Sequence, residues 1–168
     1  MLKQPSLLAK IILLVLVVGL FVLATYLGKA VNYTHALFFA VGLLIGAALL
    51  EADENYLYKF YTEESSQTSQ TTHKQMATRS VLFIASLFPL GLFLMTSTGS
   101  PVGVGVFLGV SITLAFEFFS FRNNKADFEK RFLYQLKREI TVQEHKSFVW
   151  LFIAATVLYA LIVIFLGR

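Results

Sequence analysis

Five stretches of this chain are apolar, uncharged and long. They cover residues 11–28, 34–50, 80–97, 102–116 and 148–167, and none contains Asp, Glu, Lys or Arg. An α-helix rises about 1.5 Å per residue, so about 20 apolar residues cross the ~30 Å hydrocarbon core of a bilayer. Charged residues make up 14% of the chain, against about 25% in soluble domains. The sequence therefore predicts an all-α, polytopic membrane helix bundle with five transmembrane helices.

The polar connections between these spans are too short to form a soluble domain. The fourth span continues through Glu117 to residue 121, and the two long connections, 51–79 and 122–146, have fewer than 30 residues each. The predicted spans are therefore 11–28, 34–50, 80–97, 102–121 and 148–167. We expect one integral-membrane domain, residues 1–168.

The positive charges predict the orientation. Lys and Arg favour the cytoplasmic side of short loops. With the N-terminus inside, 12 of the 14 Lys and Arg residues fall in cytosolic segments, and only Lys29 and Arg168 fall outside. The apolar run that starts at residue 11 is longer than the hydrophobic region of a signal peptide, so we expect it to stay as a span. The prediction is an N-in, C-out protein, and the compact, cysteine-free layout suits a bacterial inner membrane.

Two spans carry glycines at helical spacing. Gly42 and Gly46 lie in the second span, and Gly105 and Gly109 in the fourth. Small residues at this spacing let two helix backbones approach closely. The pattern predicts a helix–helix contact within or between subunits and favours a homo-oligomer; the alternative is the ordinary abundance of glycine in membrane helices.

The same two motifs suggest a duplication. Spans 1–2 and spans 3–4 form two hairpins, and the second helix of each has the glycine motif followed by a glutamate, Glu51 or Glu117. The spacings differ by several residues, so coincidence remains the alternative. If the repeat is real, spans 2 and 4 face each other across an axis along the membrane normal.

Glu117 is the one carboxylate inside a predicted span. An ionisable side chain in a membrane is costly and marks a functional hypothesis. Five residues separate Glu117 from Arg122, about 7 Å along a helix, which favours a carboxylate near the lipid headgroups. Two alternatives are an ion-binding or proton-carrying role, with Ser111 and Thr113 lining the same path, and an ion pair with another helix.

The last connection predicts a basic amphipathic helix. Asn124 can cap it, with Asp127 three residues later. One face carries Phe128, Phe132, Leu133, Leu136 and Ile140, and the other carries Lys130, Arg131, Lys137 and Arg138. Such a helix can lie on the anionic inner leaflet, bind a partner protein, or contact the acidic segment that follows the second span.

No residue pattern predicts catalysis, a metal site or a cofactor. The three histidines do not share a helical face, and there is no cysteine. The net charge of +4 follows from membrane topology, so we expect no nucleic-acid partner. The leading hypothesis is a non-catalytic membrane subunit, acting as scaffold, sensor or anchor, that oligomerises and engages a cytosolic or membrane partner. The alternative is a homo-oligomeric ion channel or pore with an acidic ring at Glu117.

Overall fold

The chain folds into a bundle of α-helices. The computed structural model describes residues 33–57, 77–97, 100–135 and 139–166, together with residues 12, 15–19 and 22–23 of the N-terminal segment. In these ranges the regular secondary structure is helical and contains no strand, as the sequence predicts. The α-helices are α1 (Tyr33–Ala52), α2 (Val81–Ser97), α3 (Pro101–Phe121), α4 (Lys125–Phe132) and α5 (Val142–Leu166). A π-helical turn, Asp53–Leu57, extends α1, and a 3-10 turn, Ala77–Arg79, precedes α2.

Three of these helices are long and apolar enough to cross a membrane. They are Thr34–Tyr56, Pro101–Phe121 and Val142–Ile164, with mean hydropathies of 1.9, 2.0 and 2.5. Helix α2 is also apolar but has 17 residues, which is about 26 Å of helix. Most of the predicted first span, 11–28, lies outside the described residues. The structure therefore supports a membrane protein with three long spans, and the five-span arrangement stays a prediction.

Helix α3 occupies the centre of the bundle. In its apolar window 67% of the residues are buried, against 28% for the window of α1 and 22% for that of α5. Helices α1, α2 and α5 all contact α3. Since all four helices are apolar around their whole circumference, hydrophobic periodicity alone does not say which one is central. The small side chains of α3 decide this, because they let neighbours approach from several sides.

Helices α1 and α3 touch backbone to backbone at the predicted glycine motifs. A Cβ atom on Gly42 would lie 2.3 Å from the carbonyl oxygen of Val102, and one on Gly105 would lie 2.3 Å from that of Phe39. Favourable contacts between heavy atoms lie near 3.5–4.0 Å, at roughly van der Waals distance. Only glycine allows this separation between the helices, and the contact lies within one chain.

This contact is locally symmetric. The glycines are related by a constant offset of 63 positions, from 42 to 105 and from 46 to 109. The carbonyl groups that they meet follow the same offset, from Phe39 to Val102 and from Leu43 to Val106. The two helices therefore run parallel and are related by a local pseudo-twofold axis along their length.

The same offset also relates two carboxylates. It pairs Glu117 with Glu54 rather than with Glu51, since 54 and 117 differ by the same 63 positions. Helices α2 and α5 both pack on α3, whereas a repeat of the α3–α5 pair would place α2 on α1. The symmetry is therefore limited to α1 and α3. Most of the first predicted span lies outside the described residues, so the duplication of spans 1–2 and 3–4 stays a prediction.

Replacing Gly105 with alanine should separate the two helices. The new Cβ would meet a backbone oxygen that no side-chain rotation can move, and overpacking of this kind costs about 1–3 kcal/mol. The matched control is Gly103→Ala in the same helix, where the nearest heavy atom would be 3.6 Å from the added Cβ. We expect Gly105→Ala to lower the thermal stability in detergent. Gly103→Ala should leave the free energy of unfolding unchanged or raise it by up to about 1 kcal/mol. An equal loss of stability in both variants would contradict the close contact between α1 and α3.

Candidate functional site

A fully buried arginine lies where α1, α2 and α3 meet. Arg79 is 0% exposed, at the end of the 3-10 turn that leads into α2. Its Nε donates to Oε2 of Glu117 at 2.8 Å, and its Nη2 donates to Oε1 at 2.6 Å. This fork-to-carboxylate geometry is the strongest and most directional ion pair available to a protein.

The same guanidinium also binds the end of α1. Nη2 of Arg79 donates to Oε2 of Glu54 at 2.8 Å, and Nη1 donates to the carbonyl oxygen of Leu50 at 3.4 Å. The cation therefore lies at the C-terminal end of α1, where the helix dipole favours positive charge. One side chain joins the two pseudo-equivalent carboxylates, Glu54 and Glu117, that the glycine contact brings side by side.

A second arginine connects the cluster to α4. Nη2 of Arg131 lies 3.0 Å from Oε2 of Glu54 and 3.5 Å from Oε2 of Glu117, and the side chain is 14% exposed. The sequence left three alternatives for the basic face: the inner leaflet, a partner protein, or the acidic segment after the second span. Arg131 contacts the acidic segment. We call Glu54, Arg79, Glu117 and Arg131 the ion cluster.

Asp53 connects the two turns beside the ion cluster. Its Oδ2 accepts a hydrogen bond from the backbone N–H of Thr78 at 2.9 Å and another from the Thr78 hydroxyl. Asp53 is 0% exposed. Burial, and then the negative charge of Asp53, raise the pKa of the Tyr134 phenol. The segment after α4 therefore also lies close to these turns.

The electrostatics of the ion cluster keep Arg79 charged. Burial alone lowers the pKa of Arg79, but the hydrogen bond and charge of Glu117, with the charges of Glu54 and Asp53, raise it above its ordinary value. Taking two charges out of water is expensive, and removing one partner of a buried pair leaves the other charge uncompensated. The cluster therefore favours this one arrangement of helices strongly over others.

Aromatic rings surround the ion cluster on the α4 side. Phe118, which is 0% exposed, lies next to Glu117, and its ring centroid is 5.1 Å from that of Phe128 and 4.7 Å from that of Phe132. The His145 ring packs against that of Phe128 at a tilt, with centroids 4.6 Å apart. Within the ranges given above, no three His, Asp or Glu side chains lie close enough to share a metal ion.

The residues predicted to line a pore lie inside the bundle. Ser111 and Thr113 are 2% and 3% exposed, and the Thr113 hydroxyl donates to the Gly109 carbonyl oxygen at 2.8 Å. Ser111 and Phe107 of α3 line a cavity of about 10 Å³ together with residues of α2 and α5, among them Thr156. A cavity of this size holds at most about one water molecule. Glu117 is 1% exposed and forms the ion pair that was the third alternative for it.

The amphipathic helix is shorter than predicted. The Asn124 cap is confirmed, since its side chain accepts from the Asp127 N–H at 3.3 Å, but α4 ends at Phe132. The prediction that one helix continues to Ile140 is wrong. The physical reason is that the Glu129 carboxylate accepts from the Ile140 N–H at 2.9 Å, so the chain folds back on α4.

The two faces of α4 also differ from a membrane-surface helix. Phe128 and Phe132 are 0% exposed because they pack on Phe118 rather than on lipid. On the basic face, Lys130 is exposed while Arg131 belongs to the ion cluster. Lys137 and Arg138 lie outside the described residues.

Sequence reasoning missed two of the four residues of the ion cluster. Glu54 and Arg79 fell in a polar connection, where they counted only as loop charges. For Glu54 a signal exists, namely its 63-residue offset from Glu117, which equals the offset of the glycines. For Arg79 we find no local signal. Helix α5 begins at Val142, six residues before the predicted span at 148. The sequence does carry a local signal for this start, because Thr141 and Glu144 form a capping box. The Glu144 N–H donates to the Thr141 hydroxyl at 3.2 Å, and the Thr141 N–H donates to the Glu144 carboxylate at 2.7 Å.

Replacing Arg79 with methionine should destabilise the fold severely. The substitution leaves Glu54 and Glu117 buried without their shared cation, and breaking a buried pair costs about 3–5 kcal/mol. Adding Glu117→Gln to Arg79→Met should restore part of the loss, because Glu54 then keeps Arg131 as its partner and no buried carboxylate is left without a cation. Thermal unfolding in detergent measures both steps.

Two controls accompany this variant. Lys130→Met removes an exposed cation of α4 and should change stability by less than about 0.5 kcal/mol. Arg79→Lys keeps the charge but loses the fork, so it should not restore the wild-type stability. A mild effect of Arg79→Met, comparable with Lys130→Met, would mean that the ion cluster does not hold the helices together.

No protein-family model, no characterised protein and no solved structure matches the chain.

Proposed function

We propose that this chain is a non-catalytic integral-membrane subunit, a scaffold or anchor that forms homo-oligomers and binds a cytosolic or membrane partner. It has five spans, an N-in and C-out orientation and a place in the cell membrane, of the bacterial inner-membrane type. The proposal rests on the charge distribution of the sequence and on how the ion cluster joins the parts of the chain.

The observation that carries the proposal is the joining of both long connections at one end of the bundle. The first connection supplies Glu54 and Arg79, and the second supplies Arg131, which lies 3.0 Å from Glu54. These connections hold 10 of the 14 Lys and Arg residues, and a high count of Lys and Arg in short loops favours the cytosolic side. A surface built from both connections and tied to the membrane helices suits the docking of a partner.

The outer faces of the bundle suit self-association. Leu44 of α1 is 59% exposed and Leu158 of α5 is 58% exposed. They belong to apolar faces that also include Leu37, Val41, Leu49, Leu151, Val157 and Leu161. In a bilayer such faces meet lipid or the helices of another copy, and close van der Waals packing then decides between the two.

The alternative of a homo-oligomeric pore draws less support from the geometry. Its acidic ring needs a Glu117 carboxylate that faces the axis of the oligomer, whereas both of its oxygens bind arginines of the same chain. Ser111 and Thr113 are likewise buried within the protomer. A pore through the oligomer would have to use other residues.

Native mass spectrometry of the complex, extracted gently from its own membrane, tests the proposed function. We expect several copies of the chain with a stoichiometric second protein. The combined variant Lys130→Glu, Lys137→Glu and Arg138→Glu should lose that protein and keep the copy number. Arg131 is left unchanged because its reversal would break the ion cluster.

Arg168→Glu, at the opposite end of the predicted topology, is the matched charge-reversal control. A companion protein that survives the triple reversal and is lost with Arg168→Glu would contradict the proposed docking surface. Copies of the chain without any companion protein would contradict the partner-binding role.

A cysteine at position 111 separates the scaffold from the pore. The chain has no native cysteine, so Ser111→Cys introduces a single and nearly isosteric thiol. We expect no modification by a water-soluble thiol reagent in liposomes, because residue 111 lies inside the protomer, whereas Leu44→Cys and Leu158→Cys should form disulfide-linked dimers. Rapid modification of Ser111→Cys, with an ion flux that Glu117→Gln alters, would favour the pore.

A further inference from the structure

An exposed aromatic pair lies near the end of the bundle that carries the ion cluster. Phe119 of α3 is 41% exposed and Trp150 of α5 is 56% exposed. Their rings meet edge to face with centroids 6.4 Å apart. The pair stands on the outside of the bundle, whereas the neighbouring Phe118 points inward and is fully buried.

Two cations flank this pair. The guanidinium carbon of Arg122 lies 3.9 Å from the centroid of the Phe119 ring, and Nη1 of Arg122 donates to the Phe119 carbonyl oxygen at 2.9 Å. These contacts fix the guanidinium beside the ring and leave its other N–H groups for a ligand. Lys146 is exposed and lies four residues before Trp150, which places both on one face of α5.

The carboxylates of the surrounding segments are engaged with other groups. Glu129 binds Lys125 and the Ile140 N–H, and Asp127 binds the side chain of its cap, Asn124. In the described part of the chain, Arg122 and Lys146 form no ion pair of their own. Both cations are therefore available to an anionic ligand.

The depth of the patch matches a membrane boundary. Phe119 lies two residues before the end of the apolar helix Pro101–Phe121, and Trp150 lies two residues into the uncharged run 148–167, about 3 Å along the helix. Aromatic side chains with an apolar ring and a polar edge concentrate at the level of lipid headgroups, and cations lie just beyond them.

We propose that Arg122, Lys146, Phe119 and Trp150 form a binding site for one anionic phospholipid. The headgroup phosphate lies between the two cations, and the acyl chains follow the exposed apolar face of α5 past Leu151. The patch commits to a lipid rather than to a soluble anion because its cations adjoin an apolar face at membrane depth. This site is separate from the partner surface at Lys130, Lys137 and Arg138.

The two cations give the site its selectivity. An anionic headgroup gains from both charges, whereas the phosphate of phosphatidylcholine is neutralised by its own choline group. Each basic residue near an anionic lipid contributes enough that two together favour the anionic lipid by about thirtyfold. The guanidinium adds direction because its N–H groups fit a phosphate.

The chain carries its own reporter for this site, because Trp150 is its one tryptophan. The experiment reconstitutes the full chain in phosphatidylcholine and measures quenching of Trp150 fluorescence by brominated phosphatidylglycerol or by brominated phosphatidylcholine. We expect phosphatidylglycerol to bind beside Trp150 about thirtyfold more strongly. High salt should reduce the preference, because the interaction with exposed cations is screened.

The double variant Arg122→Gln, Lys146→Gln should abolish the preference for phosphatidylglycerol over phosphatidylcholine. Lys130→Gln on α4 should leave this preference intact. Equal quenching by the two lipids in the wild type, or an unchanged preference in the double variant, would overturn the proposal. Should the double variant fail to fold by circular dichroism, the salt dependence in the wild type decides instead. Inorganic phosphate should not change the quenching of Trp150 fluorescence by brominated phosphatidylglycerol. A loss of that quenching on addition of phosphate would show a soluble-anion site instead.

Discussion

The close approach of α1 and α3 is the constraint on which the rest of this structure depends. With glycine at positions 42, 46, 105 and 109, the two backbones lie so close that an added Cβ would fall 2.2–2.3 Å from a carbonyl oxygen. The contact fixes both the separation and the register of the helices. Because the register is symmetric, Glu54 and Glu117 reach the same level, close enough for Arg79 to bind both. Any side chain larger than hydrogen at these positions would move the carboxylates apart.

The ion cluster converts this helix pair into a specific arrangement of the whole chain. Outside the glycine contact, apolar side chains can repack at modest cost when the total volume is kept. Buried charges do not tolerate such repacking, since each must keep its partner. Arg79 fixes the start of α2, and Arg131 fixes α4 and the segment after it. These contacts are why we interpret the charged end of the bundle as one coherent surface rather than as two independent connections.

The sequence predicted the helices better than their ends and partners. Alternation of apolar and polar stretches indicates spans directly, and Asn124 and the glycine motifs carry local signals that the structure matches. The end of α4 at Phe132 depends on a hydrogen bond between Glu129 and Ile140, which sequence periodicity does not contain. Glu117 stood out because a carboxylate in a span is costly, but its surroundings were left open. Its partner, Arg79, is 38 residues away in the chain, and no local rule connects them.

The sequence by itself determined that the chain is helical and apolar enough for a membrane, because length and hydropathy are local properties of each segment. It also determined which helices were able to approach closely, since glycine spacing is local as well. Only the tertiary structure decided that α3 lies in the centre, that the glycines pair within one chain, and that Glu54, Arg79, Glu117 and Arg131 meet. Those outcomes depend on contacts between residues far apart in sequence, where the energy of burying charge and the geometry of packing act together.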